Sequence, residues 1–296
     1  MDTTKNRQRD AYTFANINLL GRCNCDCFFC LGKDIPELLQ QHDQRAVHFS
    51  EWRNWWAFLR RCYDEGVFKL YVTGQNTDSL QYIYLQELID FLHRQRFQVG
   101  LRTNGYLASK RLAVINSTDL SVGYSIHSIN PSTVRSILGR SDIPNWNVLL
   151  TETERPRVQI VVNRFNKAEF WPLLEYIAGF NKVRYIQVRR ICSDTREAEL
   201  TPDIEAHDRL HDEVRQLYPL KKTIYGNAEV YDIYGKEVVF WRTTRTTVNS
   251  LNYFTDGTVS DQYFVVEGYQ KHCDRSGEPQ EFYNGKLGLP WEAANV

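Results

Sequence analysis

Residues 11–30 read AYTFANINLLGRCNCDCFFC, a stretch that joins a predicted strand to a cluster of cysteines. Residues 11–20 alternate apolar and polar positions and are rich in β-forming side chains, which predicts a strand that ends at Gly21. Four cysteines follow it, namely Cys23, Cys25, Cys27 and Cys30. The sequence therefore places a thiol-rich loop at the carboxyl end of the first predicted strand.

The remainder of the first 220 residues repeats the order strand, then helix. Short apolar segments predict six strands, at 11–20, 68–72, 99–103, 120–126, 158–162 and 183–188. Segments with helical spacing predict helices at 50–65, 80–96, 107–115, 131–138, 167–177 and 203–217. Strands that alternate with helices form parallel sheets with helical crossovers. Periodicity alone leaves open whether this sheet is doubly wound or forms a partial barrel.

The chain changes character after about residue 221. Short β-rich segments at 223–225, 229–233, 237–241 and 259–266 are separated by turn signals such as Asp256–Gly257. We therefore predict two parts: a barrel-like α/β domain over 1–220, and a β-rich cap over 221–296 that packs on it and contributes to the substrate region.

Composition excludes several classes of protein. The 296 residues carry 36 Lys+Arg and 36 Asp+Glu, a neutral balance that argues against a nucleic-acid partner. No apolar run approaches the ~20 residues of a membrane span, and residues 1–10 are too polar for a secretory signal. Seven cysteines, an odd number, argue against a secreted disulfide framework and favour a cytoplasmic location.

Two kinds of metal site could use the cysteine cluster. Structural zinc usually takes two pairs of ligands from different loops, and no partner pair is evident here. An iron–sulfur cluster is also held by thiolates, and one with three protein ligands leaves an iron free to bind another molecule. Cys23, Cys27 and Cys30 have the spacing C-x3-C-x2-C at a strand end, which is where barrel-like α/β folds place their active sites.

The stretch GRCNCDCFFC resembles the signature of the radical S-adenosylmethionine (radical SAM) superfamily, with Phe29 in the position that is aromatic there. The resemblance implies a partial (βα)6 TIM-like barrel with a β-rich C-terminal extension. It also implies that Cys23, Cys27 and Cys30 hold a [4Fe–4S] cluster whose fourth iron is chelated by S-adenosylmethionine. An electron from a donor such as flavodoxin or ferredoxin would then cleave S-adenosylmethionine to a 5′-deoxyadenosyl radical, which abstracts hydrogen from the substrate.

Later strand ends resemble the same superfamily in order over residues 11–220. The stretch Thr73-Gly-Gln-Asn76 departs from the Thr-Gly-Gly-Glu of many members, so a neutral amide stands where a carboxylate usually meets the amino group of S-adenosylmethionine. Arg102-Thr-Asn-Gly105 is similar to a segment in relatives of the GTP cyclase of molybdenum-cofactor synthesis. The resemblance implies contacts to the cofactor from Phe29, Gly74, Gln75, Asn76, Thr103, Asn104, Ser125, Gln187 and Arg189.

Plainer interpretations exist for several of these residues. Thr103 and Asn104 also suit a turn, and Arg189 could pair with a surface carboxylate. Cys25 is interpreted as a thiol outside the cluster, and His127 as a hydrogen-bonded structural histidine. The only candidate catalytic residue is Cys273, which could donate a hydrogen atom to a product radical.

The substrate is the least determined feature. We expect an enzyme acting on a small polar metabolite such as a sugar, nucleotide or amino-acid derivative. The alternative is a peptide- or protein-modifying enzyme, although this chain lacks the extra C-terminal cysteines that hold auxiliary clusters in such members. A metal that only stabilises the fold, without catalysis, is the third class.

Overall fold

The computed structural model of the protein describes residues 12–193, 195–225, 227–242, 250–262 and 265–271. The strands in chain order are β1 (Phe14–Leu20), β2 (Lys69–Gln75), β3 (Gln98–Thr103), β4 (Val122–Ser125), β5 (Pro156–Val161), β6 (Tyr185–Arg189), β7 (Lys222–Ile224), β8 (Ala228–Ile233), β9 (Lys236–Trp241), β10 (Ser250–Phe254) and β11 (Val259–Ser260). The helices are α1 (Pro36–Gln41), α2 (Trp55–Asp64), α3 (Leu85–Arg94), α4 (Leu112–Asn116), α5 (Pro131–Leu138), α6 (Trp146–Glu152), α7 (Phe170–Ala178) and α8 (Thr201–Leu217). Val265–Lys271 forms a π-helix.

One sheet contains all of these strands, in the order β11-β10-β1-β2-β3-β4-β5-β6-β9-β8-β7. The strands from β10 through β9 in that order are mutually parallel, and antiparallel pairs occur only at the two ends. The predicted α/β class with a partial TIM-like barrel is confirmed. Beyond the six strands β1–β6, β9 and β10 extend the parallel sheet on both sides. The predicted β-rich segments 223–225, 229–233 and 237–241 fall on β7, β8 and β9 of this same sheet. The division into two parts at residue 220 stays a prediction.

Local capping explains why α5 matches its predicted bounds. Asn130 accepts a hydrogen bond from the Ser132 backbone N–H, Pro131 occupies the first turn, and Gly139 ends the helix in the left-handed region with φ of 70°. The predicted helix at 50–65 instead begins only at Trp55, because Asn54 has a φ of 55° and interrupts it. Helices α1 and α6 were not predicted.

The two faces of the sheet differ in chemistry. Outward positions such as Ala15, Ile17 and Leu19 join the helices in the main apolar core. Inward positions carry amides that bond across strands: Asn16 Nδ2 donates to Asn252 Oδ1 at 2.8 Å. Because parallel strands alternate their side chains between the two faces, this pattern gives an apolar layer between the sheet and the helices and a polar barrel interior.

None of the described helices is long and apolar enough to cross a membrane.

Candidate active site

The carboxyl ends of β1–β6 surround a cavity of about 200 Å³, called the upper cavity here. The predicted site residues that line it are Cys23, Cys27, Phe29, Cys30, Gly74, Gln75, Thr103, Asn104, Ser125 and Arg189. Cys192 lines it too. Asn76, Gln187 and Cys25 are not among its lining residues, and Cys273 lies outside the described residues.

The cysteine loop, residues 22–34, is held from one side by Arg196. Its Nη1 donates to the Phe28 carbonyl and its Nη2 to the Cys30 carbonyl, both at 2.8 Å, while Nε donates to Asp34 Oδ1 at 2.6 Å. The Asp34 side chain is fully buried, so this ion pair is shielded from water. Arg196 therefore fixes the backbone on both sides of Phe29.

Two further arginines hold the opposite side of the loop. Arg45 Nη1 donates to the Arg22 carbonyl at 2.8 Å, and Arg140 Nη1 donates to the Asn24 carbonyl at 3.0 Å. The backbone N–H of Asp26 donates to the Leu138 carbonyl at 2.8 Å, which joins the loop to the end of α5. Sequence reasoning missed all three anchoring arginines, because each reaches a backbone carbonyl and leaves no motif in the sequence.

The thiols of the loop have distinct environments. A hydrogen bond from Cys25 lowers the pKa of Cys23, and the same bond raises the pKa of Cys25. Burial raises the pKa of Cys27 and of Cys30. Within the described residues, no three Cys, His, Asp or Glu side chains converge closely enough to hold a single metal ion. An iron–sulfur cluster distributes its cysteines over separate irons, so its ligands need not meet at one point.

The end of β2 folds back under the cysteine loop. A Cβ at Gly74 would lie 2.1 Å from the Thr77 carbonyl oxygen, so only glycine fits there. Asn76 has a φ of 56°, and its Nδ2 donates to the Gly21 carbonyl at 3.2 Å. This hydrogen bond ties the end of β2 to the residue that follows β1. A contact between Asn76 and the cofactor stays a prediction.

Asp78 is a functional candidate that sequence reasoning missed. It lines the upper cavity with only 4% of its surface exposed. Its carboxylate accepts hydrogen bonds from the Thr103 hydroxyl at 2.9 Å and from the Asn104 backbone N–H at 2.6 Å. Burial raises the pKa of Asp78, while these hydrogen bonds oppose the shift. In the sequence, Asp78 reads as the first residue of a capping box with Gln81, and that signal hides its position in the cavity.

The far wall of the cavity carries a cation and a neutral histidine. Arg189 Nη1 donates to Gln159 Oε1 at 3.1 Å. Burial, followed by the charge of Arg189, lowers the pKa of His127 to about 3. His127 Nδ1 accepts a hydrogen bond from the Val161 N–H at 3.1 Å. The imidazole packs edge-on against the Phe29 ring, with the two ring centroids 5.1 Å apart. This environment fits the structural interpretation of His127.

Gln187 lies on the inward face of β6, two residues before Arg189. It lines a second, larger cavity of about 730 Å³ nearer the amino ends of the strands, called the lower cavity here. The structure therefore does not bring Gln187 to the upper cavity with the other predicted residues.

Comparison with known proteins gives two kinds of likeness. The chain is 24% identical over 172 residues to a GTP 3′,8-cyclase of Nautilia profundicola, covering 55% of this chain and 52% of that protein. It is 24% identical over 157 residues to the GTP 3′,8-cyclase of Aliarcobacter butzleri, covering 51% and 45%. The chain thus spans about half the length of these relatives. No family model matches the chain.

The fold is similar to that of SuiB from Streptococcus suis. The structure of SuiB bound to S-adenosylmethionine has a TM-score of 0.61 at 12% identity, covering 90% of this chain and 64% of that chain. SuiB bound to its precursor peptide SuiA also gives 0.61, at 11% identity, covering 91% and 64%. These likenesses support membership of the radical SAM superfamily. Radical SAM homologues are enzymes that bind a [4Fe–4S] cluster and S-adenosylmethionine.

The upper cavity contains groups suited to both cofactors. Three thiols, the ligand type of iron–sulfur clusters, line one side of it. Asp78 and the Gly74 backbone supply acceptors for an ammonium group, and Arg189 supplies a donor for a carboxylate. The residues present therefore fit the two groups that bind in this superfamily.

Proposed function

We propose that this protein is a radical SAM enzyme that abstracts hydrogen from a small polar metabolite, using a cluster held by Cys23, Cys27 and Cys30. The observation that carries the proposal is that these three cysteines, and not Cys25, line the cavity at the carboxyl ends of the strands. When bound, the cluster and S-adenosylmethionine supply the electron transfer and the carbon radical that takes the hydrogen atom. A flavodoxin- or ferredoxin-type protein would deliver the electron.

The chain's own residues would bind and orient these groups. Asp78 and the Gly74 carbonyl would accept hydrogen bonds from the ammonium of S-adenosylmethionine, replacing the carboxylate that Asn76 lacks. Arg189 would donate to its carboxylate, and the Ser125 hydroxyl would bond the ribose. Phe29, held edge-on by His127, would pack against the adenine. The substrate would then occupy the polar barrel interior beside these residues.

The polar interior supports a small polar substrate. Its inward residues include amides, hydroxyls and arginines beside aromatic rings, so a wholly apolar substrate would leave hydrogen bonds unmade.

Peptide modification is the second candidate, and the fold likeness to SuiB favours it. The precursor peptide SuiA is bound in a SuiB structure whose alignment covers 91% of this chain. Enzymes of that kind commonly carry auxiliary clusters. In the described residues, Cys62 lies on the outer helix α2, away from Cys192 in the upper cavity.

Iron analysis of anaerobically reconstituted protein tests the proposal. About four irons per chain are expected, the content of one [4Fe–4S] cluster. Cys25→Ala should keep this iron and cleave S-adenosylmethionine when reduced, whereas Cys27→Ala should lose both properties. Equal loss in the two variants would show that the ligand set is wrong. About eight irons per chain would favour the peptide-modifying class.

A further inference from the structure

The lower cavity is strongly cationic. Six of the described residues that line it are positively charged, against one carboxylate, Glu154. The cations are Arg102, Arg155, Arg157, Lys182, Arg184 and Arg189. Arg155, Lys182 and Arg184 are solvent-exposed, whereas Arg102, Arg157 and Arg189 project from the inward faces of β3, β5 and β6. Such a distribution attracts an anion from solvent toward the barrel interior.

Arg157 has donor atoms that are both buried and unpaired. Its Nε and Nη2 have no hydrogen-bond partner among the described residues. Its guanidinium lies 6.0 Å from the centre of the Tyr185 ring, which supplies only a weak interaction. Because an unpaired buried charge is costly, proteins usually pair such a group. Two buried guanidinium nitrogens without partners therefore indicate a ligand.

The neighbouring strands leave room for Arg157. A Cβ at Gly123 would lie 2.9 Å from Arg157 Nη2 and 2.6 Å from Gln159 Nε2, so β4 carries glycine where a larger residue would displace both side chains. Gly100 on β3 similarly leaves room for the Tyr71 ring, 2.5 Å from where its Cβ would lie. The cavity is thus a built space with a cation on one wall and aromatic rings on others.

We propose that the lower cavity binds a phosphorylated small molecule, with its phosphate on Arg157. Planar guanidinium groups match the oxygens of a phosphate, and six cations suit a group with more than one negative charge. The volume of about 730 Å³ lies within the range of small-molecule sites. Aromatic residues on the wall, such as Phe14 and Trp241, would pack against the organic part.

The two cavities meet at Arg102 and Arg189, which line both. A ligand anchored at Arg157 therefore extends from the lower cavity toward the cysteine loop. That this ligand is the substrate of the radical reaction rests on the proposed function, whereas the phosphate site itself does not.

Titration calorimetry with inorganic pyrophosphate, without S-adenosylmethionine, tests the site on the full chain. We expect the unsubstituted protein to bind, and Arg157→Gln to weaken binding at least tenfold. The matched control Arg209→Gln removes an exposed arginine of α8 and should change the affinity less than twofold. Malonate should bind more weakly than pyrophosphate, which separates a phosphate site from a general carboxylate site.

Arg157→Lys covers the case in which Arg157→Gln does not fold. It keeps the charge and lacks the forked donors, so affinity should fall several-fold. The proposal is overturned if the unsubstituted protein does not bind pyrophosphate, if malonate binds as well, or if folded Arg157 variants bind like the unsubstituted protein. The assay involves no cluster reduction, so failure of radical chemistry would leave its result unchanged.

Discussion

The cysteine loop and the lower cavity use arginine side chains in opposite ways. Around the cysteine loop, Arg45, Arg140 and Arg196 donate to backbone carbonyls. In the lower cavity, Arg157 has two buried nitrogens with no hydrogen-bond partner in the described part of the chain. An arginine whose N–H groups are bonded to backbone acts as structure, whereas one with buried, unbonded N–H groups remains available to a ligand. Variants at the cysteine loop or the upper cavity should therefore leave the lower cavity unchanged.

The largest effect is expected at Arg196. Arg196→Ala removes the donors to the Phe28 and Cys30 carbonyls and leaves buried Asp34 without this cation. Breaking a buried pair typically costs about 3–5 kcal/mol, so the free energy of unfolding and the bound iron should both fall. Urea unfolding and iron analysis measure this. The same variant should bind pyrophosphate normally, and unchanged iron content would contradict the anchoring role.

A medium effect is expected at Asp78. Asp78→Asn removes the buried negative charge that we propose meets the ammonium of S-adenosylmethionine, and charge-assisted hydrogen bonds contribute about 1.5–3 kcal/mol. Affinity for S-adenosylmethionine should fall roughly 10- to 100-fold, by calorimetry on anaerobically reconstituted protein. Asp64→Asn, which alters an exposed pair on α2, is the control. If both variants bind equally well, Asp78 has only a structural role, through the helix cap and its bonds to Thr103 and Asn104.

The smallest expected effect is on how the free energy of unfolding depends on pH. It concerns His127 at the upper cavity and not the arginines of the lower cavity, because arginines do not titrate near neutral pH. The pKa of His127 is lowered to about 3, so the unfolded chain binds a proton below about pH 6.5 that the folded chain does not. The free energy of unfolding should therefore fall as the pH drops from 6.5, by about 1 kcal/mol from His127 at pH 5.5.

Urea unfolding between pH 5.5 and 7.5 checks this effect. In His127→Asn, the amide oxygen can replace Nδ1 as acceptor for the Val161 N–H, so the pH slope should become shallower while the fold is retained. An identical slope in the variant would assign the acid sensitivity to other groups, such as His211, whose pKa is lowered to about 4.

Local patterns predicted much of the barrel and of the upper cavity. The strand ends that carry Cys23, Gly74, Thr103 and Ser125 are parallel neighbours, so their order in the sequence is also their order around the cavity. β10 was not among the predicted segments, and its pairing with β1 was not predictable either, since two-residue periodicity identifies a strand without identifying its partner. The surroundings of Asn76 and Asp78 were not predictable for another reason. A left-handed φ turns Asn76 toward Gly21, and Asp78 lies in a motif that is also typical of a helix cap.

The pairing of β1 has a consequence for synthesis of the chain. One edge of β1 pairs with β2, where Ala15 lies opposite Leu70, whereas the other pairs with β10, where Asn16 lies opposite Asn252. At translation rates of about 5–20 residues per second, the second edge waits on the order of 10–50 s for its partner to emerge. An uncovered strand edge is a template for pairing with other chains. During this interval the unpaired edge of β1 is open to pairing with other chains.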